Sequence, residues 1–328
     1  MEKIKFLSIF FIVIALMSIS SACSSSEKSV VSSQPLQNVS SLVPKLYQNV
    51  VSNGYGSPNT DVQLNTEFPK VPEQLVVYQI TKVDDAHAYN IAKLFGLENN
   101  QLSSSTAGER NLYGYANDEV ALEIYLNGSL HFYQRQSSVN SSVSLPSEDE
   151  CTNIAREYLQ SRGLYPQNVI RVKTGVCETI ATVAKGSAPT KDVPVKMSVA
   201  FITSTNGYEN YISGARVTIG DQGKVLELSC NDLELSEYGT VRLKTPDAAY
   251  SMLTDYIKDP SFNPIEGDQC MANWRGSERL NIDSISLQYT TPTNMFLLQP
   301  VYVFEGDAYL ANQTTPEHFV GSVDAVQR

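Results

Sequence analysis

The side chains able to do chemistry are few and scattered: His87, His131 and His318, five cysteines, and dispersed carboxylates. Each histidine stands alone in its segment. There is no His-Glu-x-x-His zinc motif, no Gly-x-Ser-x-Gly nucleophile elbow and no phosphate loop ending in Lys-Ser/Thr. Gly220-Asp221-Gln222-Gly223-Lys224 has the glycines of such a loop, but Val225 stands where the hydroxyl is required, so it reads as a hairpin turn. His87 falls on a predicted helix beside Asp84 and Asp85 and reads as an exposed residue near an acidic N-terminus. Glu148, Asp149 and Glu150 fall in the first turn of another predicted helix, where the macrodipole favours negative charge without calcium. Asp232, Glu234 and Glu237 read as a solvated acidic connection. A spatial pair of acids of the glycosidase kind would leave no sequential signature, and nothing selects one. The expectation is a chain with no catalytic residues, no metal and no cofactor.

Cys23 closes a short amino-terminal segment with Lys3 and Lys5, an apolar stretch from Phe6 to Met17, and Ser20-Ser21-Ala22 before the cysteine. The apolar stretch is short of the about 20 residues that a membrane span needs. The segment resembles the bacterial lipoprotein signal, although Ser20 stands where that signal usually has Leu. The resemblance implies cleavage after residue 22, lipid on Cys23, and an extracytoplasmic protein held at the cell membrane by two or more acyl chains. An ordinary secretory signal cleaved after Ala22 is the alternative. From Ser24 to Ser41, eight of eighteen residues are Ser, so 23–45 is expected to be a flexible tether.

The chain carries a net charge of −11, and removing the signal (Glu2, Lys3, Lys5) makes it −12. An acidic protein is repelled by nucleic acid and anionic surfaces, so no nucleic-acid partner is expected. Among Cys151, Cys177, Cys230 and Cys270 no pair has Cys-x-x-Cys spacing, and in an exported protein an even number suggests disulfides. Three pairings are open. The repeat described next favours Cys151 with Cys177 and Cys230 with Cys270, and four reduced thiols are the alternative.

The elements that must position these residues follow a recurring order. Leu75–Thr81 reads as a strand, and Asp84-Asp85 open a helix through Ala88, Ile91, Ala92 and Phe95 to Gly96. A meander follows over Asn111–Ala116, Val120–Leu126 and Ser129–Gln136, with Asn127-Gly128 supplying a tight turn. Ser147 and Glu150 form a capping box for a helix running to Gly163. The second half replays this order. Val193–Thr203, Ala215–Ile219 and Lys224–Ser229 read as strands, Thr245-Pro246 caps a helix through Ala249, Met252, Leu253 and Tyr256, and Ile282–Thr290 and Met295–Glu305 are later strands. The predicted fold is α+β: two similar lobes, 46–165 and 166–328, each an antiparallel sheet with a helix packed on one face.

The run VPVKMSVAFITSTNGYENYISGARVTIGDQGKVLELS, with TPDAAYSML and LLQPVYVFEG after it, is similar to PepSY-like extracytoplasmic domains. It also resembles the YycH and YycI regulators of an essential cell-wall sensor kinase. Gly207, Gly214, Gly223, Thr245, Ala248 and Ala249 occupy the turn and cap positions of those families. The likeness covers 193–306 and, more faintly, 119–163. Those regulators retain an amino-terminal membrane helix, whereas this chain carries a lipoprotein-like signal.

The expected function is that of a non-catalytic, lipid-anchored envelope protein that binds and modulates another protein or peptide. Alternatives are a solute-binding lipoprotein for a sugar or peptide and, third, an envelope hydrolase. Trp274 and Arg275 are candidate partner contacts, since both residue types favour interface hot spots. Tyr113, Tyr115, Tyr125 and Tyr133 cluster around the first meander, either as a stacking surface or as ordinary sheet packing.

Overall fold

A computed structural model describes residues 36–44, 59–102, 112–135, 143–182, 191–231, 233–258, 277–291, 296–311 and 314–328. Alternating apolar residues dominate these segments, and most of them form strands. In chain order the elements are β1 (Asp61–Leu64), β2 (Gln74–Ile80), α1 (Asp85–Leu94), β3 (Leu112–Ala116), β4 (Val120–Tyr125), β5 (Ser129–Gln134), α2 (Glu148–Ser161), β6 (Val169–Thr182), β7 (Lys191–Thr205) and β8 (Tyr208–Ile219). After a 3-10 turn at Asp221–Gly223 come β9 (Val225–Asn231), β10 (Leu235–Arg242), α3 (Pro246–Lys258), β11 (Ser277–Thr290), β12 (Leu297–Leu310) and β13 (Glu317–Asp324).

The helices begin where the side chains dictate. Asp84 accepts from the His87 backbone N–H at 2.8 Å to start α1. Ser147 and Glu150 close the capping box of α2, which holds the Glu150 carboxyl below its ordinary value. Gly163, with φ 67°, ends that helix in the left-handed conformation that glycine adopts freely. Asn206-Gly207, with φ 52° and 81°, makes the tight turn between β7 and β8.

The expectation of two similar lobes is corrected by the strand pairing. Thirteen strands join in one mixed sheet, ordered β10-β2-β12-β11-β8-β9-β5-β4-β3, with β1 on β11, β13 on β12, and β6 reached through β7. Pairing crosses the expected boundary at 165 in both directions. β5 lies against β9, Leu130 opposite Cys230, while β2 lies against β10 and β12, Val76 opposite Thr240 and Tyr78 opposite Leu298. The sheet is also not purely antiparallel, since β1 and β11 run parallel and Tyr289 meets Asn210 in a parallel pair between β11 and β8. Helices are shared unequally. Ala88, Ile91 and Ala92 of α1 and Cys151, Ala155 and Leu159 of α2 bury against one apolar cluster, while Ala249, Leu253 and Ile257 of α3 bury against the other.

Residues 36–44, which fall within the expected tether, pack against the fold. Residues Leu36–Arg328 form one compact unit, with Val39 and Val43 buried. Asn38 bridges Thr240, and Arg328 donates to the Val43 and Pro44 carbonyls.

Candidate protein-docking edge

β6 is amphipathic by alternation. Val172, Thr174 and Val176 share one face, and Arg171, Lys173 and Gly175 the other, while Ile170 sits in a bulge, Val169 standing opposite Thr203 and Arg171 opposite Ile202. Through its pairing with β7, Val172 lies opposite Phe201, Thr174 opposite Val199 and Val176 opposite Met197, and these three β7 residues are buried in the core beneath α2. Directly opposed residues share a face, so the apolar side of β6 continues that core surface outward. The helix meets it at Thr174, where the Thr152 and Thr174 hydroxyls are 2.8 Å apart. Beyond that contact Val172 is 37 % exposed and Val176 50 %.

The polar face of β6 is fixed by ion pairs to its neighbours. Arg171 donates to both carboxylate oxygens of Glu209, at 2.8 and 3.0 Å. Lys196 of β7 meets Glu178 at 2.7 Å and Glu227 at 3.5 Å, and the hydrogen bond to Glu178 is the main cause that raises the Lys196 pKa. Such exposed pairs contribute little to stability, but they orient the strand.

Two other outer edges of the sheet, at β3 and β10, are covered by the chain itself. Asn100–Leu102 bonds to β3, with the Leu102 N–H on the Gly114 carbonyl and the Ala116 N–H on the Asn100 carbonyl. Gln37–Val39 does the same for β10 at Thr240. Among the described residues β6 pairs with β7 alone, over the length of a 14-residue strand. An edge of this length with no second partner among the described residues presents backbone donors and acceptors ready for another strand, with apolar side chains at alternate positions.

The remaining candidate residues are separated. Cys23, Cys270, Trp274 and Arg275 lie outside the described residues. Cys151 and Cys177 are free thiols, so the expected bridge between them is not formed. Cys151 points into the core from the first turn of α2, where its thiol donates to the Pro146 carbonyl at 3.6 Å, whereas Cys177 is exposed at a bulge of β6. Burial raises the pKa of both thiols, which keeps them protonated and poorly nucleophilic at neutral pH. Cys230 is buried on β9 and donates to the Leu164 carbonyl, and its expected pairing with Cys270 lies outside the described residues.

The four tyrosines of the first meander form no common platform. Tyr115 is buried, Tyr125 donates to Glu123 at 3.2 Å, and Tyr133 lies against His131. Tyr113 donates to Asp85 at 2.8 Å and is pushed up to about 12, first by desolvation and then by that carboxylate. Among the described residues no group of three His, Cys, Asp or Glu side chains is placed to hold a metal ion, and no helix is long and apolar enough to cross a membrane.

No known protein-family model matches the chain, and no curated protein matches its sequence. The edge at β6 is a feature that reading the sequence missed. Its signal is present as the alternation of Ile170, Val172, Thr174 and Val176 with Arg171 and Lys173.

Proposed function

We propose that the chain is a non-catalytic, lipid-anchored cell-envelope protein that binds and modulates another protein, taking an extended segment of that partner as an added strand on β6. The observation that carries this reading is the long β6 edge, with Val172 and Val176 exposed on a face that continues the core. Backbone hydrogen bonds to the added strand supply affinity, and alternate side chains packed beside Val172 and Val176 supply selectivity. The signal ending at Cys23 and the likeness to PepSY-like and YycI-like domains support the envelope setting. The partner presents a segment with β-branched or aromatic residues at every second position, because those meet the exposed Val172 and Val176.

The test compares tagged, lipid-bearing protein with its Val172→Lys/Val176→Lys variant in purification from detergent-solubilised native membranes. The expected result is one partner that is retained by the wild type and lost by the folded variant. Equal retention by both, or no retained protein, contradicts the proposal.

A further inference from the structure

The outer edge of β6 carries a sequence that fits its own copy. Bulges at Ile170 and Cys177 bound a regular run from Arg171 to Val176. On the face that continues the core, the run reads Val172, Thr174, Val176, the same in either direction. On the other face Lys173 and Gly175 stand equally far either side of Thr174, one long and charged, the other without a side chain. A two-fold axis through Thr174, normal to the sheet, makes two β6 strands antiparallel and keeps each face continuous. Val172 then lies opposite Val176 of the second copy, Thr174 opposite Thr174, and Lys173 opposite Gly175. Apolar residues meet apolar residues, and no like charges are directly opposed.

The surroundings leave room for this arrangement. α2 lies over β7, so the two α2 helices stand three strand spacings apart, about 14 Å, beyond the roughly 8–10 Å of packed helices. A Cβ built on Gly175 meets nothing within 4 Å, so the polar face above it is open to Lys173 of the second copy. An open strand edge is a liability that proteins cover, and chains held at one surface always have a copy of the same edge nearby.

We propose that β6 pairs with β6 of a second copy of this chain about that axis, and that self-pairing closes the docking edge to its partner. This rests on the reading of β6 as an open docking edge and adds its regulation. One edge takes one strand, so the copy and the partner compete. The pairing runs only from Val172 to Val176, so the dimer is weak and opens on dilution. Dense chains hold the edge closed, and sparse chains leave it open.

The test traps the register with cysteines in the purified mature chain, residues 23–328, carrying Cys23→Ser, Cys177→Ser and Cys270→Ser. Val172→Cys and Val176→Cys are made separately in that chain and oxidised with copper phenanthroline, alone and mixed. In the proposed register residue 172 of one copy is beside residue 176 of the other, within disulfide reach, while the two residues 172 are about 14 Å apart. The mixture is expected to give at least tenfold more disulfide dimer than either variant alone, and to lose it on dilution. Gly175→Lys has room in the single chain and sets Lys opposite Lys173, so it is expected to cut crosslinking at least tenfold with the Tm unchanged. No dimer in the mixture, equal crosslinking by Val172→Cys alone, or crosslinking that Gly175→Lys leaves intact overturns the proposal. A partner retained from native membranes by a chain that gives no 172–176 crosslink overturns self-pairing and leaves the docking reading standing. A 172–176 crosslink with no partner retained supports self-pairing and contradicts the docking reading.

Discussion

Thr152 on α2 and Thr174 on β6 meet hydroxyl to hydroxyl at 2.8 Å, and that contact marks the line where the helix stops covering the sheet. On either side of Thr174, Val172 and Val176 continue the apolar surface into solvent. The core layer is therefore wider than its helix, and the excess width is the proposed docking edge.

Replacing Val176 by Lys should change stability by about 0.5 kcal/mol, as expected for a surface position that is 50 % exposed. Chemical denaturation checks this. A loss of several kcal/mol would mean that the side chain is already buried against something, and that the edge is occupied rather than open.

Leu159 on α2 and Leu253 on α3 are both fully buried, in different apolar clusters of the same sheet. Truncating either to Ala should cost about 2–5 kcal/mol through lost transfer energy and residual cavity. Because strand pairing crosses between the clusters, each variant should still unfold in one transition seen alike by far-UV and near-UV circular dichroism. Two separated transitions would argue for independent lobes.

Gly306 permits a close approach that no other residue allows. A Cβ there would lie 1.8 Å from the Asn281 carbonyl oxygen, beside the β11 bulge between Ile282 and Ser284. Gly306→Ala should destabilise the protein by at least about 3 kcal/mol, the upper end of overpacking costs, because backbone atoms must move. A thermal melt within 2 °C of wild type, a limit on the order of 1 kcal/mol or less, would show that the bulge yields easily.

Much of this architecture is legible locally. The Ser147–Glu150 capping box, the Asp84 cap, the Asn127-Gly128 turn and the Thr245-Pro246 helix start are short-range chemistry, and each sits where its residues predict. What local patterns do not carry is which strand lies beside which. Asp232, Glu234 and Glu237 read as a solvated acidic connection, yet Leu235–Arg242, which includes Glu237, pairs with β2 across more than 150 residues of sequence. The Leu130–Cys230 pairing likewise joins segments a hundred residues apart, so two look-alike sequence units do not become two lobes. The β6 edge escapes notice for a related reason. Its alternation marks a strand, but only the fold shows that nothing among the described residues lies on its outer side.

Alkaline pH should unfold the protein through its buried tyrosines. Tyr302 donates to the Lys244 carbonyl at 2.7 Å and is pushed up to about 12, chiefly by burial, and Tyr289 is raised for the same leading reason. In the unfolded chain these groups ionise near 10. Between pH 10 and 12 the folded state therefore binds more protons than the unfolded state, and stability falls as pH rises. Tyrosinate absorbance at 295 nm should show a component appearing with loss of the circular dichroism signal above pH 10, and diminished in Tyr302→Phe. Full tyrosine titration while the fold persists would contradict this.

The central claim is that β6 receives a partner strand, and crosslinking from the strand tests it most directly. A photoreactive residue placed at 176, and separately at 172, in lipid-bearing protein in native membranes should yield adducts with the same extended segment of one protein. A photoreactive residue at 125, on β4, should not. Absence of adducts at both β6 positions, or equal adducts from position 125, would contradict the account.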